Sequence, residues 1–390
     1  MVDFILSEEQ AALKELCRNF AERQLQPIAD ELDRKASDDP ASPFPWEALK
    51  EFSTLGLKNL PLPEKWGGAD MDVLTHCVLL EELMTVEAGF AAAVHQSWKL
   101  AGLLAECGTD DQISRHIGAF SENSEYLMGD GTLGLIGSSE DLELRARPEG
   151  GGWALEGRKR FVGCGPIAKL LFMDAATGSG VQGSSDVATL LVAQDSPGIR
   201  QEEVHDKMGA RTFLESELAF DRCQVSADDM LSDGSGNGSG AKSRYFGKIA
   251  PTLGAFGVGI ARASLETSIA HCLERVQGGK PIFEHDVVSF RLAEMKVDVD
   301  VARDLVWRAA WHSDNPGEGA PGIGMSALLF ASEMAPRVCD MGIQLFGGYG
   351  FMRDYPVQKY WRDSLMCLYH GDTHDMARLK LGRLMESEAI

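Results

Sequence analysis

The stretch GIQLFGGYGFMRDYPVQKYWRD, residues 342–363, closes one apolar helical run and opens the next. Gly347, Gly348 and Gly350 give a backbone that turns sharply and approaches a ligand closely, because no Cβ intervenes. Gln344 offers a donor and an acceptor three residues before the glycine pair. Two readings follow from these residues alone: a helix C-cap with an interhelical turn, or a turn that cradles a ligand.

Around this stretch the pattern is helical. Apolar residues recur at helical spacing over Ile249 to Val276, Glu284 to His312, Met325 to Leu345 and Pro356 to Met385. Four such helices with mostly short connections predict an antiparallel bundle. Upstream, SDGSGNGSGAKS, residues 232–243, has the composition of a flexible connector. Its glycines do not follow a strand and open a helix, as a dinucleotide fingerprint requires.

From Tyr126 to Leu231 the runs shorten. WALEGRKRFVG, KLLFMDAA, VATLLVAQ and ESELAFDRCQV are strand-length and bounded by turn residues. The first third is helical again. Ser7 and Gln10 fit a capping box, Leu13, Leu16 and Phe20 share a face, and Pro27 stops the run. A second helix spans Trp46 to Leu55 and ends at Gly56; Pro61, Pro63, Gly67 and Gly68 form a loop; apolar helical stretches run from Leu74 to Leu104. The expected fold is α+β and multi-domain: an N-terminal α-helical domain over 1–124, a middle β-barrel or sandwich over 125–235, and a C-terminal four-helix bundle over 236–390.

The 390-residue chain has 44% hydrophobic and 25% charged residues and a net charge of -22. That balance excludes a nucleic-acid or anionic-membrane surface, which needs clustered Lys and Arg. Eight cysteines without a C-x-x-C pair point to buried thiols rather than a disulfide framework or a zinc ribbon. The N-terminus turns acidic too early for a signal peptide and no apolar run spans a bilayer, so a cytoplasmic protein is expected.

Over essentially its whole length the chain resembles the acyl-CoA dehydrogenase family. LSEEQAALKELCRNFAERQLQPIA, LGLKNLPLPEKWGG and the Glu81-Glu82-Leu83 triplet look like the family's opening helices. HDKMGARTFLESELAFDRCQV resembles its "K-M-G-x-R … E-L-x-F" stretch, and LGAFGVGIARASLETSIAHCLERVQGGKPIFEH its first bundle helix and following turn. The opening stretch, residues 342–363, is close to its best-known signature. The resemblance implies FAD, an acyl-CoA or acyl-carrier-protein substrate, an electron-transfer flavoprotein as acceptor, and a homo-oligomer, dimer or tetramer, or a heteromer with a paralogue. It also implies that Arg275, Gln344, Gly347 and Gly348 hold the adenine dinucleotide across a subunit interface, where a guanidinium pairs with pyrophosphate.

Departures cluster at the active centre. The family's "Y-E-G-T-x-Q" is Tyr369-His370-Gly371-Asp372-Thr373-His374 here, so His370 stands in place of the glutamate that takes the substrate α-proton. A neutral imidazole accepts a proton near pH 7, and His370 reads either as the base or as a filler of the vacated site. Asp372 and His374 fall where threonine and glutamine touch FAD; a carboxylate there needs a cation to offset it, and His374 can supply one. The His370 and His374 spacing also matches a helical metal pair, but Gly371 and the lack of a third ligand argue against a metal. In the β domain, Ser138 and Phe161 are the candidate flavin contacts, with Thr132 nearby. Gly163 replaces a hydroxyl-bearing threonine and Gly278 an aromatic contact. The helix segment 246–254 carries no carboxylate to serve as an alternative base, and Lys248 reads as a surface residue. Ala250 matches a substrate-contacting arginine.

The function expected is α,β-dehydrogenation of an acyl thioester with an atypical base. A half-site subunit of a heteromeric acyl-CoA dehydrogenase is one alternative. The other is flavin monooxygenase or non-oxidative carbanion chemistry on the same fold.

Overall fold

Ser7 caps the first helix as its spacing predicts: its Oγ accepts the Gln10 N–H at 3.1 Å, and Gln10 Oε1 accepts the Ser7 N–H at 3.0 Å. This computed structural model describes residues 5–41, 44–132, 143–177, 187–231, 239–315, 322–370 and 374–389. Helix α1 (Glu8–Phe20) runs into a π-turn and then α2 (Ala29–Asp38). Helix α3 (Trp46–Thr54) ends before Gly56, whose φ of 79° needs a residue without Cβ. Helices α4 (Val73–Met84) and α5 (Ala88–Cys107) are buried on almost every side and form the centre of this region. Helix α6 (Asp110–Glu122) closes it behind a second capping box, Thr109 and Gln112.

The middle region is one eight-stranded sheet. Its strands are β1 (Met128–Gly131), β2 (Arg145–Glu149), β3 (Gly152–Gly163), β4 (Leu170–Ala176), β5 (Val187–Ala193), β6 (Ile199–Val204), β7 (Glu215–Ser226) and β8 (Met230–Leu231). The order is β6-β7-β3-β1-β4-β5-β8, with β2 on β3 and β4. Strand β4 is buried along its whole length, which its unbroken apolar run, interrupted only by Asp174, requires. The β3–β7 register slips between Lys159 and Val162. There Phe161 and Cys164 take positive φ values of 53° and 54°, so the strand re-aims its side chains just where it meets the helices.

Helix α7 (Ser239–Glu274) begins earlier than the glycine- and serine-rich composition suggested. Lys242 anchors that first part: its Nζ donates to both Asp174 oxygens at 2.8 and 2.6 Å, inside β4, and Ala241 and Tyr245 are buried. Residues 232–238 of the expected connector lie outside the described residues. A two-residue hairpin of β9 (Val276–Gln277) and β10 (Lys280–Pro281) turns on Gly278 and Gly279, φ 65° and 81°. Helices α8 (Asp286–Asp314) and α9 (Ile323–Phe346) follow.

The expected fourth bundle helix is divided into α10 (Val357–Ser364) and α11 (His374–Ala389). Leu365–Leu368 tighten into a 3-10 turn between them. Asp363, at the end of α10, accepts from the Ala210 N–H at 2.7 Å and from Lys359 at 2.6 Å, which pins the chain to the 207–213 loop and stops the helix. The expected loop turn at Gly347–Gly350 is a 3-10 turn, Gly347–Phe351, with Gly350 required by packing: a Cβ there meets the Ile343 carbonyl oxygen at 2.3 Å.

A buried ionic network joins the helices of the two helical regions. Arg262 of α7 donates to Glu81 at 2.7 Å and to Glu82 at 2.8 and 2.6 Å, while Arg303 reaches Glu81 and Arg18 reaches Glu82. All eight cysteines are buried.

Candidate active site

Helix α5 is apolar except on one short face. His95, Gln96 and Lys99 project from it toward the sheet and α7, and they line a cavity of about 250 Å³. Strand β1 contributes Asp130, with Thr132 just beyond it; the bulged end of β3 contributes Phe161 and Gly163; Phe213 and Glu215 lead into β7. The bundle supplies an apolar wall of Phe246, Ile249, Ala250 and Leu253 from α7 and Leu328 from α9. Tyr369 and His370 close the floor. A second cavity, also about 250 Å³, lies behind Glu215, Tyr369 and His370 against the 207–210 loop and α10.

His370 sits between two aromatic rings, 5.4 Å from Phe213 and 5.5 Å from Phe256. Burial against them pushes its pKa down to about 4; Lys99 and Lys207 add to the shift and Glu215 opposes it. The imidazole is therefore neutral at pH 7. Lys207 is itself held by Glu215 at 2.9 Å and by the Phe213 carbonyl.

Gln96 explains Gly163. Its Nε2 donates to the Gly163 carbonyl at 2.7 Å and the Met128 carbonyl at 3.0 Å, and a Cβ on Gly163 would stand 2.2 Å from Gln96 Oε1. The space a threonine side chain would need is filled from α5. Across the cavity, Lys99 forms an ion pair with Asp130, whose other oxygen accepts the Thr132 N–H at 2.8 Å and hydroxyl at 2.7 Å. Burial raises the Asp130 pKa, but Lys99 and Thr132 more than offset that and hold it below the usual carboxylate value.

Of the residues singled out from sequence, the structure brings His370 and Phe161 into one cavity, with Thr132 and Gly163. Phe161 is 69% exposed and rests on His205, ring centroids 4.7 Å apart, leaving its other face open. Arg275, Gln344, Gly347 and Gly348 gather elsewhere, at the far end of the bundle. The Arg275 guanidinium lies 5.3 Å from the Tyr349 ring centroid and His271 stacks on Phe346 at 3.9 Å. Gln344 is sixteen helical positions beyond Leu328, roughly 24 Å along α9. His374 opens α11 and bonds Ser332 at 3.1 Å and Glu333 at 3.2 Å on α9. It does not share a helix with His370, so the i, i+4 metal pair does not form. Among the described residues no group of three potential metal ligands occurs. Lys248 is exposed, as expected, and Ala250 lines the cavity. Ser138 and Asp372 lie outside the described residues.

Sequence reasoning missed His95, Gln96, Lys99, Asp130 and Glu215. The available signal was a histidine and a lysine four residues apart in an otherwise apolar helix, FAAAVHQSWKLAGLL.

The profile of the acyl-CoA dehydrogenase N-terminal domain matches residues 7–122, that of the middle domain 138–223, and that of the C-terminal domain 236–385. Benzylmalonyl-CoA dehydrogenase of Aromatoleum aromaticum is 31% identical over 99% of this chain and 100% of its own length. The chain belongs to the acyl-CoA dehydrogenase family. The solved structure of butyryl-CoA dehydrogenase from Megasphaera elsdenii superposes with a TM-score of 0.89 at 28% identity, covering 98% of this chain and 100% of that one. A structure from work on the electron transferring flavoprotein of Acidaminococcus fermentans and flavin-based electron bifurcation gives 0.88 at 26%, covering 98% and 99%.

Members of this family are FAD flavoproteins, and membership supports an oxidoreductase flavoenzyme. The residues present suit that cofactor. The open face of Phe161 stands beside the cavity. At the bundle end, Gly347 and Gly348 leave room on which a Cβ would meet nothing within 4 Å, and no ion pair among the described residues neutralises Arg275. No helix of the described residues is long and apolar enough to cross a membrane.

Proposed function

We propose that this protein is an FAD-dependent dehydrogenase of acyl thioesters, carried by CoA or acyl-carrier protein, with His370 as the base. The observation that carries the reading is the placement of a neutral imidazole on the floor of the cavity, across from the exposed Phe161 ring. FAD, when bound, supplies the acceptor for the β-hydride. His370 takes the α-proton; Phe213 and Phe256 keep it uncharged beforehand, and Glu215 favours the imidazolium that forms, against the opposing charges of Lys99 and Lys207. Phe161 offers a stacking face, and Gln96 fixes the Gly163 carbonyl that lines the same wall.

Arg275, Gln344, Gly347 and Gly348 serve the adenine end of a cofactor bound mainly by a second copy, and Ser138, Asp372 and His374 are further FAD contacts apart from that set. The bundle supports such pairing. Val287, Phe290, Val297 and Val301 form an exposed apolar stripe on α8, and Phe351 and Met352 are exposed beside the glycine turn. A cytoplasmic homo-oligomer that passes electrons to an electron-transfer flavoprotein completes the reading.

Its test is the visible spectrum of the purified protein. The expected protein is yellow and bleaches anaerobically on adding an acyl-CoA or acyl-pantetheine. Colourless protein that turns yellow only with a copurifying paralogue would replace this reading with the half-site one, and bleaching by a nicotinamide cofactor with oxygen uptake would replace it with a monooxygenase.

A further inference from the structure

The wall against which His370 rests is held from outside the cavity. Phe213, one of the two rings facing the imidazole, ends a loop tied down at three points. Arg362 donates to the Met208 carbonyl at 2.8 Å, Asp363 accepts the Ala210 N–H at 2.7 Å, and Glu87 accepts the Thr212 hydroxyl at 2.7 Å. Ala210 stands at a φ of 47°, a conformation that a residue with a Cβ keeps only under constraint, so a loop released here relaxes.

Asp363 acts on both partners of that contact. Through Ala210 it fixes the chain three residues before Phe213, and it ends α10 seven residues before His370, whose N–H closes on the Met366 carbonyl at 2.9 Å. Glu87 opens α5, the helix that carries Gln96 and Lys99 into the cavity. Both carboxylates are buried, Glu87 1% and Asp363 2% exposed, and one cation joins them. Lys359 Nζ lies 2.6 Å from Asp363 Oδ2 and 3.0 Å from Glu87 Oε2. Burial lowers the Lys359 pKa, but Asp363 and Glu87 outweigh it and hold it above the usual value, so the ammonium stays charged. Lys359 itself lines neither cavity at His370.

We propose that Lys359 is a positioning residue for His370: by joining Glu87 to Asp363 it sets the Phe213 wall against the imidazole. This rests on the reading of His370 as the base and adds the group that places it. Without Lys359, two buried carboxylates stand uncompensated, which drives them apart or forces a proton onto one of them. The loop and the end of α10 then lose their common tie to α5. Arg362 still holds Met208, so the loop shifts rather than leaves. A shift of about 1 Å at a base costs on the order of 10²-fold in rate.

The test uses the FAD-loaded full-length protein and the variants Lys359→Met, Glu87→Gln and Arg262→Met. Glu87→Gln keeps an acceptor for Thr212 and removes a charge instead of stranding one, so it decides the matter if Lys359→Met does not fold. At saturating acyl thioester, flavin reduction is expected to slow about ten- to hundredfold in Lys359→Met and severalfold in Glu87→Gln, with the thioester Kd within about threefold of wild type. A second reading needs no turnover: carbethoxylation of His370 by diethyl pyrocarbonate at pH 6, followed on its peptide by mass spectrometry against His312 of α8. It should speed up severalfold in the same two variants. Arg262→Met, whose bonds go to Glu81 and Glu82, should lower Tm yet leave both readings as in wild type. Rates and labelling within about twofold of wild type in both variants, losses matched by Arg262→Met, or a loss confined to Kd overturn the inference. If wild-type protein holds FAD and no thioester bleaches it, the dehydrogenase reading falls and the labelling still decides the role of Lys359. If wild type bleaches and the two variants match it in both readings, the inference alone falls.

Discussion

Replacing His370 by alanine removes the imidazole and leaves the Phe213 and Phe256 rings facing an enlarged cavity. His370 makes no side-chain hydrogen bond to a neighbouring helix among those observed, so the fold and the cofactor contacts proposed for Phe161 and Arg275 should survive. A positioned general base contributes about 10²- to 10⁴-fold, so His370→Ala should slow anaerobic flavin reduction by that factor, about 3 to 5 kcal/mol of barrier. The pH profile separates a base from a filler. With its pKa down at about 4, His370 is already neutral at pH 6 and 7. Single-turnover reduction by wild-type protein should stay flat from about pH 8 to pH 5 and fall only as pH approaches 4, where the ring takes a proton and ceases to be a base. An unperturbed histidine would give its limb near 6.5. Stopped-flow bleaching at 450 nm checks both points. A rate in His370→Ala within threefold of wild type, with FAD still bound, would refute the assignment; a limb at 6.5 that persists in the variant would place the base elsewhere.

Arg262→Met should destabilise the protein by about 3 kcal/mol, the lower end for a broken buried pair, because Glu81 keeps Arg303 and Glu82 keeps Arg18. For a chain of this length melting as one unit that is about 4 °C in Tm by calorimetry. A loss under 1 °C would show the network to be idle. The Glu82 pKa is lowered, since its bonds to Arg262 and Arg18 outweigh the burial that raises it. Its share of stability is thus present above about pH 4.5 and lost as pH falls through the lower folded value. Gly163→Ala drives a Cβ into Gln96 Oε1 and toward the Phe213 ring, 2.9 Å away, and should cost about 1 to 3 kcal/mol. Adding Gln96→Ala should recover part of that, and strictly additive losses in thermal melts would refute the clash.

Local chemistry made much of the fold legible. The Ser7 cap, the Gly56 stop and the strands at 153–163, 169–176, 187–194 and 215–225 are set by neighbours in sequence, and the structure has them within a residue or so. What escaped depends on distant partners. Strand β6, IRQEEV, is exposed along its centre and forms the sheet edge, so it has no apolar alternation. Strand β1, MGDG, is short and half glycine, and is made a strand by β3 and β4 on either side. The start of α7 is held by Lys242 on a buried aspartate 68 residues earlier, and the end of α10 by Asp363 on Ala210, 153 residues earlier.

The site divides the same way. His370 was visible because it interrupts a motif, whereas the Lys99–Asp130 pair exists only once α5 and β1 meet. That distinction bears on how the changes arose. A decayed active site would leave stranded groups, since a buried charge without a partner costs several kcal/mol. Here two of the changes have partners or uses: Gln96 fills the space that Gly163 vacates, and Gly278 turns a hairpin at a φ no phenylalanine favours.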